Sequence, residues 1–209
     1  MMLKITVGVD EVGRGSLAGP IVGVAYICHQ RVDGVKDSKL LSKKQREGLL
    51  PLLQQSGYWI ESWVGNSEID SRGIEWANNM VLKGSVEGLV HHYRPYLDLN
   101  DLEVLVDGVK PIYGLSGIKQ RSIIQGDRLI YEISAASIIA KVERDRWITD
   151  KSDTVLRKGR LDAAADRTEP DITCTVYGWG KNAGYGTEEH KKAIKRHGLS
   201  ELHRRSFCD

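Results

Sequence analysis

The sequence predicts an α/β fold, a mixed β-sheet flanked by helices. Three observations predict it. Three strand-like runs follow one another near the N-terminus, strand-like and helix-like segments then alternate, and one long helix-like segment is rich in small residues.

The first run, 5–9 (ITVGV), is short and β-branched, and a glycine-rich turn separates it from the second, 20–27 (PIVGVAYI). The third, 57–64 (GYWIESWV), is aromatic and β-branched, so these three read as a meander. A fourth, 103–106 (EVLV), stops at Asp107-Gly108, and 122–124 is a weaker fifth candidate. Helices fill the gaps. Ser42 followed by Gln45 has the form of a capping box, predicting a helix from Lys43 toward Leu53. Apolar positions such as Ile74, Ala77 and Val81 predict one helix over 69–93. Residues 131–148 predict a long helix whose Ser134, Ala135, Ala136, Ser137 and Ala140 let it lie close to a sheet. Thr187, with Glu188 and Glu189 after it, predicts the start of a last helix, and Gly198 its end. The charged stretch 151–175 has little periodicity and reads as a loop or insertion. We therefore expect a single domain over 1–209 with a helical part at 176–209.

A chain of 209 residues, 41% hydrophobic and 28% charged, can bury a core without disulfides or structural metal. The net charge of +2 does not announce nucleic-acid binding. Locally, 181–209 holds seven Lys/Arg against four Asp/Glu, besides His190, His197 and His203. Such a tail suits phosphate, or else is a solvated helical face. The three cysteines form no C-x-x-C pair, which argues against a zinc ribbon and for a reducing, cytoplasmic compartment. No apolar signal region precedes the first strand. No apolar run approaches the ~18 residues of a membrane span, so no membrane association is expected.

Chemistry concentrates in DEVGRGSLAGP, where Asp10 and Glu11 end a strand and a glycine-rich turn follows. Adjacent strand residues point to opposite faces, so the two carboxylates are expected to share a site only if the chain leaves regular strand geometry there. Asp107 repeats the pattern of apolar strand, acid, glycine, and Asp127 follows Gly126. Taken singly, Asp107 and Asp127 read better as turn or cap residues. Together, acids at the ends of neighbouring strands converge, repel one another, and call for hard divalent cations with oxygen ligands. Gly13, Gly15 and Ala18 also match a dinucleotide fingerprint. Asp10 and Glu11 would then face an anionic pyrophosphate, and Pro20 leads into a strand where a helix is required, so that reading fails.

DEVGRGSLAGP resembles the signature of ribonuclease HII, the prokaryotic type 2 ribonuclease H. The resemblance continues in Asp37-Ser38-Lys39, Leu41-Ser42, Arg46-Glu47, LVDG at Asp107, Gly126-Asp127, SAASIIAKVERDR, GYGTEEH and HRRSF, in family order from residue 7 to the C-terminus. It implies a ribonuclease H-like α/β fold, a mixed five-stranded sheet flanked by helices with a helical C-terminal part. It implies that Asp10, Glu11, Asp107 and Asp127 bind two Mg²⁺ or Mn²⁺ ions and catalyse. It implies that Gly13, Arg14 and Gly15 read the ribose 2′-hydroxyl and that Tyr185 stacks on the next sugar. Lys39, Lys141 and Lys181 are candidate phosphate contacts, though each reads equally as a solvated lysine; Ser137 and Thr187 have helix packing and capping as plainer roles. His190 and His203 are expected to hydrogen-bond structurally. Between ERDR and GYGT the family is usually shorter, so 151–175 departs from its pattern.

The implied activity is hydrolysis 5′ of a ribonucleotide, leaving 3′-hydroxyl and 5′-phosphate, in RNA–DNA hybrids and in duplex DNA with embedded ribonucleotides, by a monomer. Three alternatives compare less well. Ribonuclease HIII usually lacks the arginine of Gly-Arg-Gly, has glutamate where Asp107 stands and carries a further N-terminal domain. A junction resolvase on the same fold is disfavoured by the Gly-Arg-Gly and Gly-Tyr-Gly-Thr blocks. A catalytically inactive hybrid-binding module is disfavoured by the presence of all four acids.

Overall fold

A computed structural model describes residues 5–95, 98–160 and 176–208, with only the backbone for 152–160. Five strands, β1 (Ile5–Val12), β2 (Ile21–Cys28), β3 (Gly57–Val64), β4 (Leu102–Asp107) and β5 (Lys119–Ile123), form one sheet in the order β3-β2-β1-β4-β5. The first three pair antiparallel as a meander, while β1–β4 and β4–β5 are parallel, so the sheet is mixed as predicted. β5 is a half-exposed edge strand. With little apolar alternation of its own, it is defined by its pairing with β4, which is why it stood out poorly in the sequence.

The helices are α1 (Lys43–Ser56), α2 (Asn66–Arg72), α3 (Ile74–Tyr93), α4 (Gly126–Leu129), α5 (Tyr131–Arg160), α6 (Trp179–Asn182) and α7 (Glu188–His197). Ser42 and Gln45 form the capping box of α1, and Thr187 caps α7 by accepting from the His190 N–H. Two expectations are corrected. The single helix over 69–93 is two, because Gly73 takes φ 85°, ending α2 and opening α3. The helix expected to stop at 148 runs to Arg160, so the first part of the supposed loop 151–175 is helical. Residues 161–175 lie outside the described residues.

The sheet carries a core on each face. α3 lays Ala77, Val81, Val86 and Leu89 over Val7, Val9, Ala25 and Val104. α5 and α1 lay Ala136, Ile139, Leu50 and Leu53 over Val22, Val24 and Tyr26 on the other. Truncating a fully buried Leu or Val to Ala in either layer costs about 2–5 kcal/mol. The small residues of α5 do bring it close to the sheet: a Cβ on Gly8 of β1 would stand 2.1 Å from the Glu132 carbonyl carbon. That contact sets the start of α5 against the middle of β1, and Ser137, little more than a turn further on, reaches Asp10.

Candidate active site

β1 carries Asp10 and Glu11 without a break in strand geometry. Both stay in register with β2, Asp10 opposite Val24 and Glu11 opposite Gly23, and the strand runs on to Val12. The expectation that the chain must leave the strand for the two acids to meet is therefore wrong. β1 outlasts its parallel neighbour instead. Pairing with β4 ends at Val9 opposite Val106, and the next residue of β4 is Asp107. Asp10, Glu11 and Asp107 thus stand around one strand end and line one cleft of about 420 Å³. The turn comes afterwards, at Gly13, whose φ of 101° suits glycine.

Asp127 reaches the site from the first turn of α4. The Gly126 and Asp127 N–H groups donate to Asp107 Oδ1 at 2.7 and 3.4 Å, clamping the start of that helix to the end of β4. Gln125, at φ 55°, makes the preceding turn. On the far side Lys39 donates to Asp127 Oδ2 at 2.9 Å.

Charge at this edge is poorly balanced. Asp10 is 6% exposed and Asp127 3%. Burial, then the negative charges of Glu11 and Asp107, hold the Asp10 carboxyl well above its usual range. Burial and Asp107 push Glu11 up to about 7, against the pull of Arg14 and Lys39. Burial and Asp127 raise Asp107. Ser137, on the face of α5 toward β1, hydrogen-bonds Asp10, and its hydroxyl lies 3.0 Å from that of Ser38.

Among the described residues, no three His, Cys, Asp or Glu side chains converge into a ready-made metal cage. The donor set nevertheless fits a hard divalent ion: four carboxylates, all oxygen, repelling one another in a buried setting. Lys39 stands on Asp127 as a counter-charge, which accounts for that acid being turned to a lysine.

The other expected residues are largely gathered. Gly13, Arg14, Gly15, Lys39, Lys141 and Tyr185 line the same cleft as Asp10, Glu11 and Asp107. Arg14 projects outward to pair with Glu75, which Lys110 also approaches at 3.2 Å. Lys141 pairs with Asp145 at 3.0 Å and lies 4.8 Å from the centre of the Tyr185 ring. Lys181, on α6, is not in the acidic cleft; it lines an adjoining one of about 350 Å³ that shares Arg46, Lys141 and Tyr185. His190 and His203 are buried and bonded, as expected. His190 Nδ1 meets the Tyr185 carbonyl at 2.9 Å, the two Nε2 atoms lie 3.1 Å apart, and the Ser200 N–H donates to His203 Nδ1 at 2.9 Å.

Several residues of this region were quoted from the sequence only as parts of motifs, with no role assigned. Asp37, 2% exposed, accepts from Arg128 at 2.9 Å and ties the Ser38–Leu40 turn to α4. Arg144 and Arg204 are fully buried beneath the Gly-Arg-Gly turn. Their motifs, ERDR and HRRSF, were visible, but nothing in either signals a buried guanidinium.

Comparison with known proteins agrees with this architecture. The family model of ribonuclease HII matches residues 7–209. A ribonuclease HII of Clostridium botulinum is 43% identical over 209 residues, covering 96% of this chain but 66% of its own length. The chain thus spans just under two thirds of that relative. One from Pelagibacter ubique is 38% identical over 207 residues, covering 98% of this chain and 96% of its own. Among solved structures, the ribonuclease HII of Archaeoglobus fulgidus, determined in complex with PCNA, superposes with a TM-score of 0.69 at 23% identity over 96% of this chain and 94% of that one, which shows the fold.

Proposed function

The chain belongs to the ribonuclease HII family, and on that premise we propose that it is a metal-dependent endonuclease acting at ribonucleotides in duplexes. It hydrolyses the phosphodiester 5′ of a ribonucleotide, in RNA–DNA hybrids and in duplex DNA with embedded ribonucleotides, leaving 3′-hydroxyl and 5′-phosphate ends. The observation that carries the reading is that Asp10, Glu11 and Asp107 line one cleft beside a glycine turn with little counter-charge, and that the start of α4, which bears Asp127, is clamped to Asp107 at its edge.

Asp10, Glu11, Asp107 and Asp127 are the residues that would hold two Mg²⁺ or Mn²⁺ ions. When bound, such ions activate the attacking water and stabilise the leaving oxygen. The outer part of the turn, Arg14 and Gly15, is exposed, with nothing within 4 Å of where a Gly15 Cβ would stand, while Gly13 is packed against Arg144. Backbone groups there can approach a ribose 2′-hydroxyl, the group that distinguishes RNA from DNA. Tyr185, across the cleft, offers its ring to the next sugar. Lys39, Lys141 and Lys181 meet phosphates, Lys39 by leaving Asp127. No described helix is long and apolar enough to cross a membrane.

The test is a duplex with one ribonucleotide, incubated with Mg²⁺, with Mn²⁺ and with chelator, its product ends analysed. Cutting 5′ of the ribonucleotide, abolished by chelator, is the expected result. Binding without metal-dependent turnover would instead mark a hybrid-binding module. Tyr185→Ala is expected to slow cutting of this duplex; an unchanged rate would leave the tyrosine a packing role.

A further inference from the structure

Beneath the acidic cleft two irregular stretches of chain lie together, the 13–20 turn and the segment around Tyr185. They are joined by a few backbone bonds: Leu17 N–H to the Gly184 carbonyl at 2.8 Å, and an isolated bridge between Ser16 and Tyr185. The 202–204 stretch joins them, Gly19 N–H donating to Leu202 and Arg204 N–H to Leu17. Neither stretch is part of the sheet, so most of their carbonyls need partners from elsewhere.

Two side chains supply them. Arg144 of α5 donates to the Pro20, Ala183 and Ala18 carbonyls at 2.8, 2.8 and 2.9 Å. Arg204 donates to the Gly19 and Arg14 carbonyls at 2.9 and 3.1 Å. Both are 0% exposed, and neither forms an ion pair with a carboxylate among the described residues. Burying a guanidinium without an anion costs several kcal/mol per ion, so two side by side call for a reason. Five accepted carbonyls are that reason in part: only the planar fork of arginine reaches several acceptors at fixed angles. Contact is close on both loops. A Cβ on Gly13 would stand 2.2 Å from Arg144 Nε, and the Arg144 guanidinium carbon lies 5.4 Å from the centre of the Tyr185 ring.

We propose that Arg144 and Arg204 are positioning residues for ribonucleotide recognition, holding the Gly-Arg-Gly turn and Tyr185 as one rigid reader before substrate arrives. They touch no substrate and act through the carbonyls of Arg14 and Ala183. This rests on the nuclease reading above, in which the turn contacts the 2′-hydroxyl and Tyr185 the neighbouring sugar. Preorganisation matters because a recognition group displaced by an ångström loses much of its effect.

The experiment is a double-mutant cycle on the full chain. Arg204→Lys keeps the charge but cannot span both carbonyls. It is made alone and with Tyr185→Ala, and kcat and KM are measured on duplex DNA bearing one ribonucleotide. Arg204→Lys alone is expected to lower kcat/KM about tenfold or more, with circular dichroism unchanged. In the Tyr185→Ala background the same change should cost no more than about threefold, because the reader is already lost. Losses that multiply, or no loss at all, would overturn the inference. Should Arg204→Lys not fold, Ser200→Ala loosens the same 202–204 stretch through His203 without touching a buried charge; its loss must also shrink beside Tyr185→Ala, or the inference falls. If the unmodified chain cuts neither this duplex nor a long hybrid, the nuclease reading fails and takes the inference with it. If it cuts both and the losses multiply, the inference alone fails.

Discussion

Two clusters of like charge are buried on either side of the Gly-Arg-Gly turn, and they are treated oppositely. On one side, Asp10, Glu11 and Asp107 have carboxyls held above their usual range by burial and mutual repulsion. On the other, Arg144 and Arg204 sit beside each other; burial, and for Arg204 the neighbouring guanidinium, holds both below the usual arginine range, Arg204 at about 9. The arginines donate to five fixed main-chain carbonyls, with Arg204 Nη2 alone of their nitrogens left without a hydrogen-bond partner among the described residues. The acids have only partial counter-charges, Lys39 paired with Asp127 and Arg14 acting on Glu11 while it is paired with Glu75. A charge whose partners are built in serves structure, while one left short of partners is prepared for a ligand that comes and goes.

The sharpest break in this comparison is Asp10→Asn. It is expected to lower the cleavage rate on a single-ribonucleotide duplex by on the order of a thousandfold, since it removes a ligand at the place where charge develops. The metal-free variant should also melt no lower than the parent in a thermal scan, because the substitution relieves repulsion. A folded, fully active Asp10→Asn protein would remove the acid side of the contrast.

Arg204→Met should behave the other way. It orphans the Arg14 and Gly19 carbonyls, a cost that outweighs the relief of repulsion with Arg144, for a net stability loss of about 3 kcal/mol by urea unfolding. A loss under 1 kcal/mol would show that those carbonyls find water.

Acid should weaken the braced side selectively. Burial and the neighbouring His190 hold His203 down at about 4, against 6.5 for a free imidazole. Below pH 6.5 the unfolded chain takes up a proton that the folded chain refuses. Stability is therefore complete above that pH and falls as pH drops toward 4, by up to about 3 kcal/mol. Urea midpoints for the parent and for His203→Gln should diverge over this window; parallel curves would remove His203 as the cause.

The smallest effect concerns the stand-in cation. If Lys39 holds the place of an ion on Asp127, Lys39→Met should bind Mn²⁺ on the order of fivefold more tightly by calorimetry of the metal-free protein, as befits an ion pair with an exposed lysine. Equal or weaker binding would show that Lys39 does not compete.

Local chemistry was legible where it is decided within a few residues. The capping box at Ser42, the cap at Thr187 and the stop at Gly198 depend on neighbours three or four positions away. The pairing of Asp10 and Glu11 with a glycine turn was legible for the same reason. Gly73 shows the limit: helical periodicity runs through it, yet its positive φ divides α2 from α3. The extension of α5 past 148 was hidden because the sequence there is charged and lacks apolar periodicity.

By itself, then, the sequence determined the strand-and-helix order, the caps, and which acids and glycines are candidates for the chemistry, because periodicity and residue type act over short range. Only the tertiary structure decided how Asp10 and Glu11 meet Asp107: β1 outlasts β4, a matter of register between strands about a hundred residues apart. Only there, too, could Arg144 find a carbonyl 124 positions away, and Arg204 one 190 away. Burial and long-range hydrogen bonding depend on what the folded chain brings alongside, and no local pattern encodes that.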